Sequence, residues 1–103
     1  MRRKDEMNTY AIRRKRAWAS PEEIPAQRSK EVADEEFPAD IRWIRSYVIA
    51  EGDGTLGSIC IYQATDHETI RQHARRVGMP ADDIQLVADT VIVRPDPVAQ
   101  ATL

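Results

Sequence analysis

The sequence predicts an α+β domain in the order β-α-β-β-α-β, with a four-stranded antiparallel sheet and two helices on one face. Three observations point there. Ile41 to Ala50 and Leu56 to Gln63 are β-branched and aromatic runs joined through Glu51-Gly52-Asp53-Gly54. A short loop holding Asp-Gly between two such runs signals a hairpin, because glycine supplies the positive φ that the turn needs. After the hairpin, Thr65 to Gly78 carries a capping signature, an apolar stripe and a glycine stop, which together read as a helix. A further extended run, Ile84 to Val93, then ends at Pro95 and Pro97.

The elements follow in chain order. Residues 1–7 read as a flexible charged lead, and Met7 is a second candidate start. Thr9 to Trp18 is predicted as the first strand. Tyr10, Ile12, Arg14, Arg16 and Trp18 share one of its faces; Ala11, Arg13, Lys15 and Ala17 share the other. Ser20-Pro21-Glu22-Glu23 is a helix start, with Ser20 as cap, Pro21 in the first position and Glu23 reaching back. Pro25 interrupts it, so the first turn is separate or the helix proper begins near Pro25. Val32, Ala33 and Phe37, with Ser29 one turn earlier, form a thin apolar stripe that Pro38 ends.

In the hairpin, Trp43, Tyr47 and Ile49 alternate with Ile44 and Val48, and Ile59 and Ile61 with Cys60 and Tyr62. An antiparallel sheet with one face in water shows one polar face. Two apolar faces imply two covers, the helices on one side and a second copy of the chain on the other. Thr65-Asp66-His67-Glu68 opens the second helix with capping-box spacing. Ile70, Ala74 and Val77 form its stripe, Gly78 its left-handed cap, and Pro80 prevents continuation. Residues 8–95 thus form one domain of the split βαβ, ferredoxin-like order, and residues 96–103 a disordered tail.

Composition narrows the function classes. At 103 residues and 11.7 kDa there is room for one modest core, which burial against a partner would enlarge. A net charge of −2 gives no global basic field for nucleic acid or an anionic membrane. A single cysteine excludes an intrachain disulfide and suits a reducing compartment. No apolar run approaches the roughly 20 residues of a membrane span, and Met1-Arg2-Arg3-Lys4-Asp5-Glu6 lacks the apolar core of a signal peptide. The expectation is a cytoplasmic protein with neither nucleic acid nor membrane as partner.

His67 and His73 are the only histidines and the candidate metal ligands. Six residues apart on a helix, they sit about 240° apart and cannot chelate one ion together. Each can ligate with donors from elsewhere, such as Asp66, Glu68 or a symmetry mate. The bland reading of His73, beside the apolar stripe, is a ring bonded to backbone or water; that of His67 is solvent exposure. Cys60, between Ile59 and Ile61, reads as a small packing residue. No Cys-x-x-Cys or histidine–cysteine pair supports thiol catalysis or a closed zinc site. Arg13-Arg14-Lys15-Arg16 is the densest basic run, but alternation divides it between two faces; ion pairs with Asp34, Glu35, Glu36 or a partner chain are expected. A ferredoxin-like sheet is also an RNA-recognition scaffold, yet the third strand offers only Tyr62 for stacking.

Several motifs then match in order. Trp43-Ile44-Arg45-Ser46-Tyr47-Val48 is similar to W-[VI]-x-S-Y, and Cys60-Ile61-Tyr62-Gln63-Ala64 to C-x-Y-x-A. Ile70-Arg71-Gln72-His73-Ala74-Arg75-Arg76-Val77-Gly78-Met79-Pro80 is similar to a helix leading into a glycine, an apolar residue and a proline. The chain resembles, over most of residues 8–95, a small nickel-binding-type family long filed as a domain of unknown function. The resemblance implies a ferredoxin-like domain that dimerises through its sheet and binds nickel at the surface of the dimer. Metal-binding members carry histidine just before the second strand and inside W-x-x-S-Y. Here those places hold Glu35-Glu36-Phe37-Pro38 and Arg45, and an arginine repels a cation. The reading is therefore a small non-enzymatic homodimeric binding protein, with nickel or another divalent transition metal as its cofactor, held weakly by His73 or His67. The alternative is a dimeric α+β-barrel enzyme with a sheet–helix pocket, using His73, Tyr47 and Tyr62 as acid–base groups.

Overall fold

The computed structural model describes residues 7–97. The expected flexible lead and disordered tail fall almost entirely outside them. In chain order the elements are β1 (Asn8–Trp18), a single 3-10 turn (Pro21–Glu23), α1 (Ala26–Glu36), β2 (Ile41–Ala50), β3 (Leu56–Ala64), α2 (His67–Val77) and β4 (Asp83–Leu86). The fold is α+β. Its one sheet has the order β2-β3-β1-β4, and every neighbouring pair is antiparallel. β1 and β2 therefore run parallel to each other, with β3 between them.

Local chemistry accounts for the helix ends. Pro25 caps α1, so the first turn is indeed separate, and Glu23 accepts from the Ala19 N–H at 2.9 Å. In α2 the cap is Asp66, not Thr65: the Asp66 carboxylate accepts from the Thr69 N–H at 2.8 Å. Gly78 has φ 87°, and the N–H groups of Gly78 and Met79 both reach the Ala74 carbonyl. This is the left-handed termination that glycine permits. Ala33 of α1 and Ile70 of α2 join Tyr10, Ile12, Ile41, Cys60, Tyr62 and Ala64 in one core, which places both helices on the same face of the sheet. His73, rather than Val77, completes the buried stripe of α2.

Two bulges interrupt the alternation along the strands. Between Trp43 and Arg45 the β2–β3 pairing slips by one residue. Trp43 and Ser46 consequently oppose Tyr62 and Cys60 on the helix-covered face, while Arg45 and Tyr47 oppose Ile61 and Ile59 on the open one. The expected grouping of Trp43 with Tyr47 and Ile49 fails because period-two counting does not survive an inserted residue. A second irregularity lies between Arg14 and Trp18, where Arg16 takes φ 50°. Its N–H donates to Glu51 Oε2 at 3.0 Å, and the detour returns Trp18 to the core side.

The basic run is divided accordingly. Arg13 forks onto Glu51 at 2.9 and 3.1 Å, and Arg16 meets Asp53 at 3.0 Å. These hairpin acids replace the expected partners on α1. Asp34 is held by Lys30, and Glu36 by a bidentate contact from Arg76.

β4 stops at Leu86, well short of the expected Val93. It runs antiparallel to β1, with Leu86 opposite Tyr10, and the Val87 N–H donates to the Thr9 carbonyl. β1 begins at Asn8, so its partner groups run out there. The chain beyond is an exposed arm. Val91, Ile92 and Val93 on it are 75–83% exposed. Its Asp96 accepts from Arg45 and from the Tyr47 hydroxyl, both at 2.8 Å, on β2 at the opposite edge of the sheet.

Candidate functional site

A cavity of about 210 Å³ lies between the helix-side face of the sheet and the connection into α1. Trp18 at the end of β1 walls it together with Ile24 and Pro25 of the connection; Trp43 and Val48 wall it from β2. The bulge in β2 is what turns the Trp43 ring this way. That ring stacks on Tyr62 with centroids 6.2 Å apart and planes 14° apart, and its Nε1 donates to Ser46 Oγ at 2.8 Å. Cys60 Sγ donates to Ser58 Oγ at 3.4 Å, which uses the thiol within the strand. Cys60 is thus the buried packing residue that its position between two isoleucines predicts.

Buried polar groups surround the inner end of this cavity. The Tyr62 hydroxyl and Ser29 Oγ are 3.2 Å apart. His73 is 1% exposed and lies 2.9 Å from the Ser29 carbonyl through Nε2. A carbonyl only accepts, so Nε2 carries the proton and donates. The bland reading of His73, a ring bonded to backbone, is what the structure contains. Burial pushes the His73 pKa below its ordinary range, opposed by the Ser29 bond and reinforced by the positive charge of Arg14. Burial also raises the Tyr62 hydroxyl, and its bond to Ser29 opposes that rise. Both groups are held neutral near pH 7.

Arg14 is the residue that sequence reasoning undervalued. It lies on the core face of β1, 2% exposed, directly across the ladder from Ser58. Its Nε donates to the Pro80 carbonyl at 2.6 Å, whereas Nη1 and Nη2 are buried without a hydrogen-bond partner. The signal was present in the alternation of Arg14 with Tyr10, Ile12 and Trp18, but it read there as a diluted basic patch.

The predicted metal ligands do not converge. His73 is sealed under α1, while His67 is half-buried and meets the Tyr10 ring edge-on at 4.8 Å. Asp66 caps its helix, and Glu68 is drawn to Arg71 and Arg75. Among the described residues no group of three or more His, Cys, Asp and Glu side chains could hold a metal ion. The donor set of one chain therefore does not fit nickel, which wants several imidazole or thiolate donors. The acid–base trio of the alternative reading is not assembled either. Tyr62 lines the cavity, but Tyr47 is on the opposite face of the sheet.

Among the described residues no helix is long and apolar enough to cross a membrane. No curated protein and no solved structure matches the chain significantly. A family model described as nickel responsive protein, SCO4226-like, does match, over residues 10–87, from the third residue of β1 to just past the end of β4. That span holds both bulges, the cavity and the buried cluster beneath it, and the chain belongs to the SCO4226-like nickel responsive protein family.

Proposed function

We propose that the chain acts as a non-enzymatic homodimeric binding protein, built from ferredoxin-like domains joined through the open face of the sheet. The strand order and the antiparallel pairing support the ferredoxin-like assignment. The observation that carries the dimer is the composition of the face that neither helix covers and that only the arm crosses, through Asp96 on Arg45 and Tyr47. Ala11, Ile49, Ile59 and Ile61 stand there half-buried, with Tyr47 at 42% exposure, and neither helix covers them. The arm adds Val91, Ile92 and Val93 to the apolar surface on offer. A two-fold contact over such a face buries on the order of 1,000 Å² or more in total.

Nickel enters through the family description, and on this reading the metal is held weakly. His67 supplies the imidazole, with carboxylates such as Asp66 or Glu68 or with donors of the second copy. His73 is a poorer donor, since its Nε2 is spent on Ser29 and the ring is buried. Calorimetry of nickel, zinc and cobalt on the purified protein tests this. We expect dissociation constants no tighter than about 10 μM, lost in His67→Ala. Tight nickel binding that survives His67→Ala and His73→Ala together would refute the ligand assignment.

A further inference from the structure

We propose that the arm after β4 is exchanged between two copies of the chain, so that Asp96 of each copy docks on Arg45 and Tyr47 of the other. The exchange rests on the dimer proposed above and adds to it a site that the two copies complete for each other. Three observations carry it. The first is a conflict of space. β4 and β2 are the two edges of the sheet, and Asp96 ties one to the other across the open face. Two sheets packed face to face stand about 10 Å apart, a gap that their side chains fill. A third layer of backbone does not fit between them. A second copy on this face therefore requires the arm to leave it.

The second observation is what the arm would leave behind. Arg45 Nη1 and the Tyr47 hydroxyl both donate to the same Asp96 oxygen at 2.8 Å, and they lie 3.4 Å from each other. The two donors converge on one carboxylate, and Asp96 of a second copy makes the same bonds. Exchange of an identical element is for this reason a low-cost route to dimers. The third is the arm itself. Val91, Ile92 and Val93 are 75–83% exposed, so the arm buries little of its apolar surface on its own sheet. Asp96 follows Leu86 by ten residues, and ten extended residues span about 33 Å. The breadth of the sheet from β4 to β2 is three strand spacings, about 14 Å. A two-fold axis along the strands sets β4 of one copy over β2 of the other, across only about 10 Å. The arm thus has the length to dock in either place, and the exchanged path brings Val91 to Val93 against a second copy.

Charge reversal separates exchange from a strap within one chain. The Arg45 and Asp96 side chains are each about half-exposed, so Arg45→Asp and Asp96→Arg leave the fold intact. In an exchanged dimer each single variant carries two like-charge contacts, and should dimerise at least about tenfold more weakly than wild type. In an equimolar mixture the native Asp96 of one variant meets the native Arg45 of the other, and the two reversed residues meet each other. The mixture should therefore recover dimer affinity to within about threefold of wild type. A strap within one chain gives the opposite pattern. Its loss frees the open face, the single variants dimerise as well as wild type or better, and mixing adds nothing. Sedimentation equilibrium of wild type, both variants and their mixture distinguishes the two. Undiminished dimers in the single variants, or a mixture no tighter than its components, would overturn the exchange and leave the dimer standing. A wild type that stays monomeric would remove the dimer and the exchange with it.

Discussion

Gly57→Ala should be one of the most damaging single-methyl changes in this protein. Gly57 lies in β3 opposite Ile49, where the chain passes under the Arg13–Glu51 ion pair. A Cβ built there collides with a Glu51 carboxylate oxygen and with the Arg14 backbone carbonyl, and comes within 2.8 Å of Arg13 Nη1. The side chains can rotate away. The Arg14 carbonyl cannot, because it opens the β1 bulge that the Arg16 N–H fastens to Glu51. Overpacking of this kind costs about 2–3 kcal/mol. With a urea slope between about 1 and 1.5 kcal/mol/M for a domain of this size, the midpoint should fall by about 2 M. Gly52 is the control. It sits at φ 92° with nothing within 4 Å of its would-be Cβ, so Gly52→Ala is charged only for backbone strain, about 1 kcal/mol. Urea curves at equal protein concentration should rank Gly57→Ala well below Gly52→Ala. Adding Glu51→Ala to Gly57→Ala should restore little, since the carbonyl clash persists. The reverse ranking, or full rescue by Glu51→Ala, would refute the steric account.

Two further predictions concern the helix-covered face. His73 has a folded pKa below its ordinary value near 6.5, so the unfolded chain binds the proton more readily. The stability this gives is present above about pH 6.5 and is lost as pH falls below it toward the folded value; a denaturant midpoint that stays flat in His73→Gln while dropping in wild type checks this. Trp43→Ala should cost about 3 kcal/mol through loss of the Tyr62 stack and the Ser46 bond. His67→Ala, which loses one edge contact to Tyr10, should cost about 0.5–1 kcal/mol, and thermal midpoints ranked the other way would contradict the packing described.

The hairpin, both helices, the glycine stop at Gly78 and the buried Cys60 were legible in the sequence, because each is written in local chemistry over a few residues. The bulges were not. Ile41 to Ala50 reads as unbroken alternation, and only the pairing with β3 reveals the slip at Ile44 that sends Trp43 and Tyr47 to opposite faces. The end of β4 was hidden for a related reason. Val91-Ile92-Val93 has strand chemistry, but where a strand stops depends on where its neighbour runs out, and that is a property of register. For the site, alternation placed Arg14 among Tyr10, Ile12 and Trp18 correctly, and only its charge argued against burial. His73 was read as a neighbour of the α2 stripe when it belongs to it, one helical position from Ala74.

The dimer is the claim on which the functional reading turns, and sedimentation equilibrium across micromolar concentrations tests it most directly. The open sheet face predicts a wild-type species of twice the 11.7 kDa chain mass, and dissociation to monomer in Ile61→Arg, which places a charge at the centre of that face. A wild-type protein that sediments as an 11.7 kDa monomer throughout would contradict it.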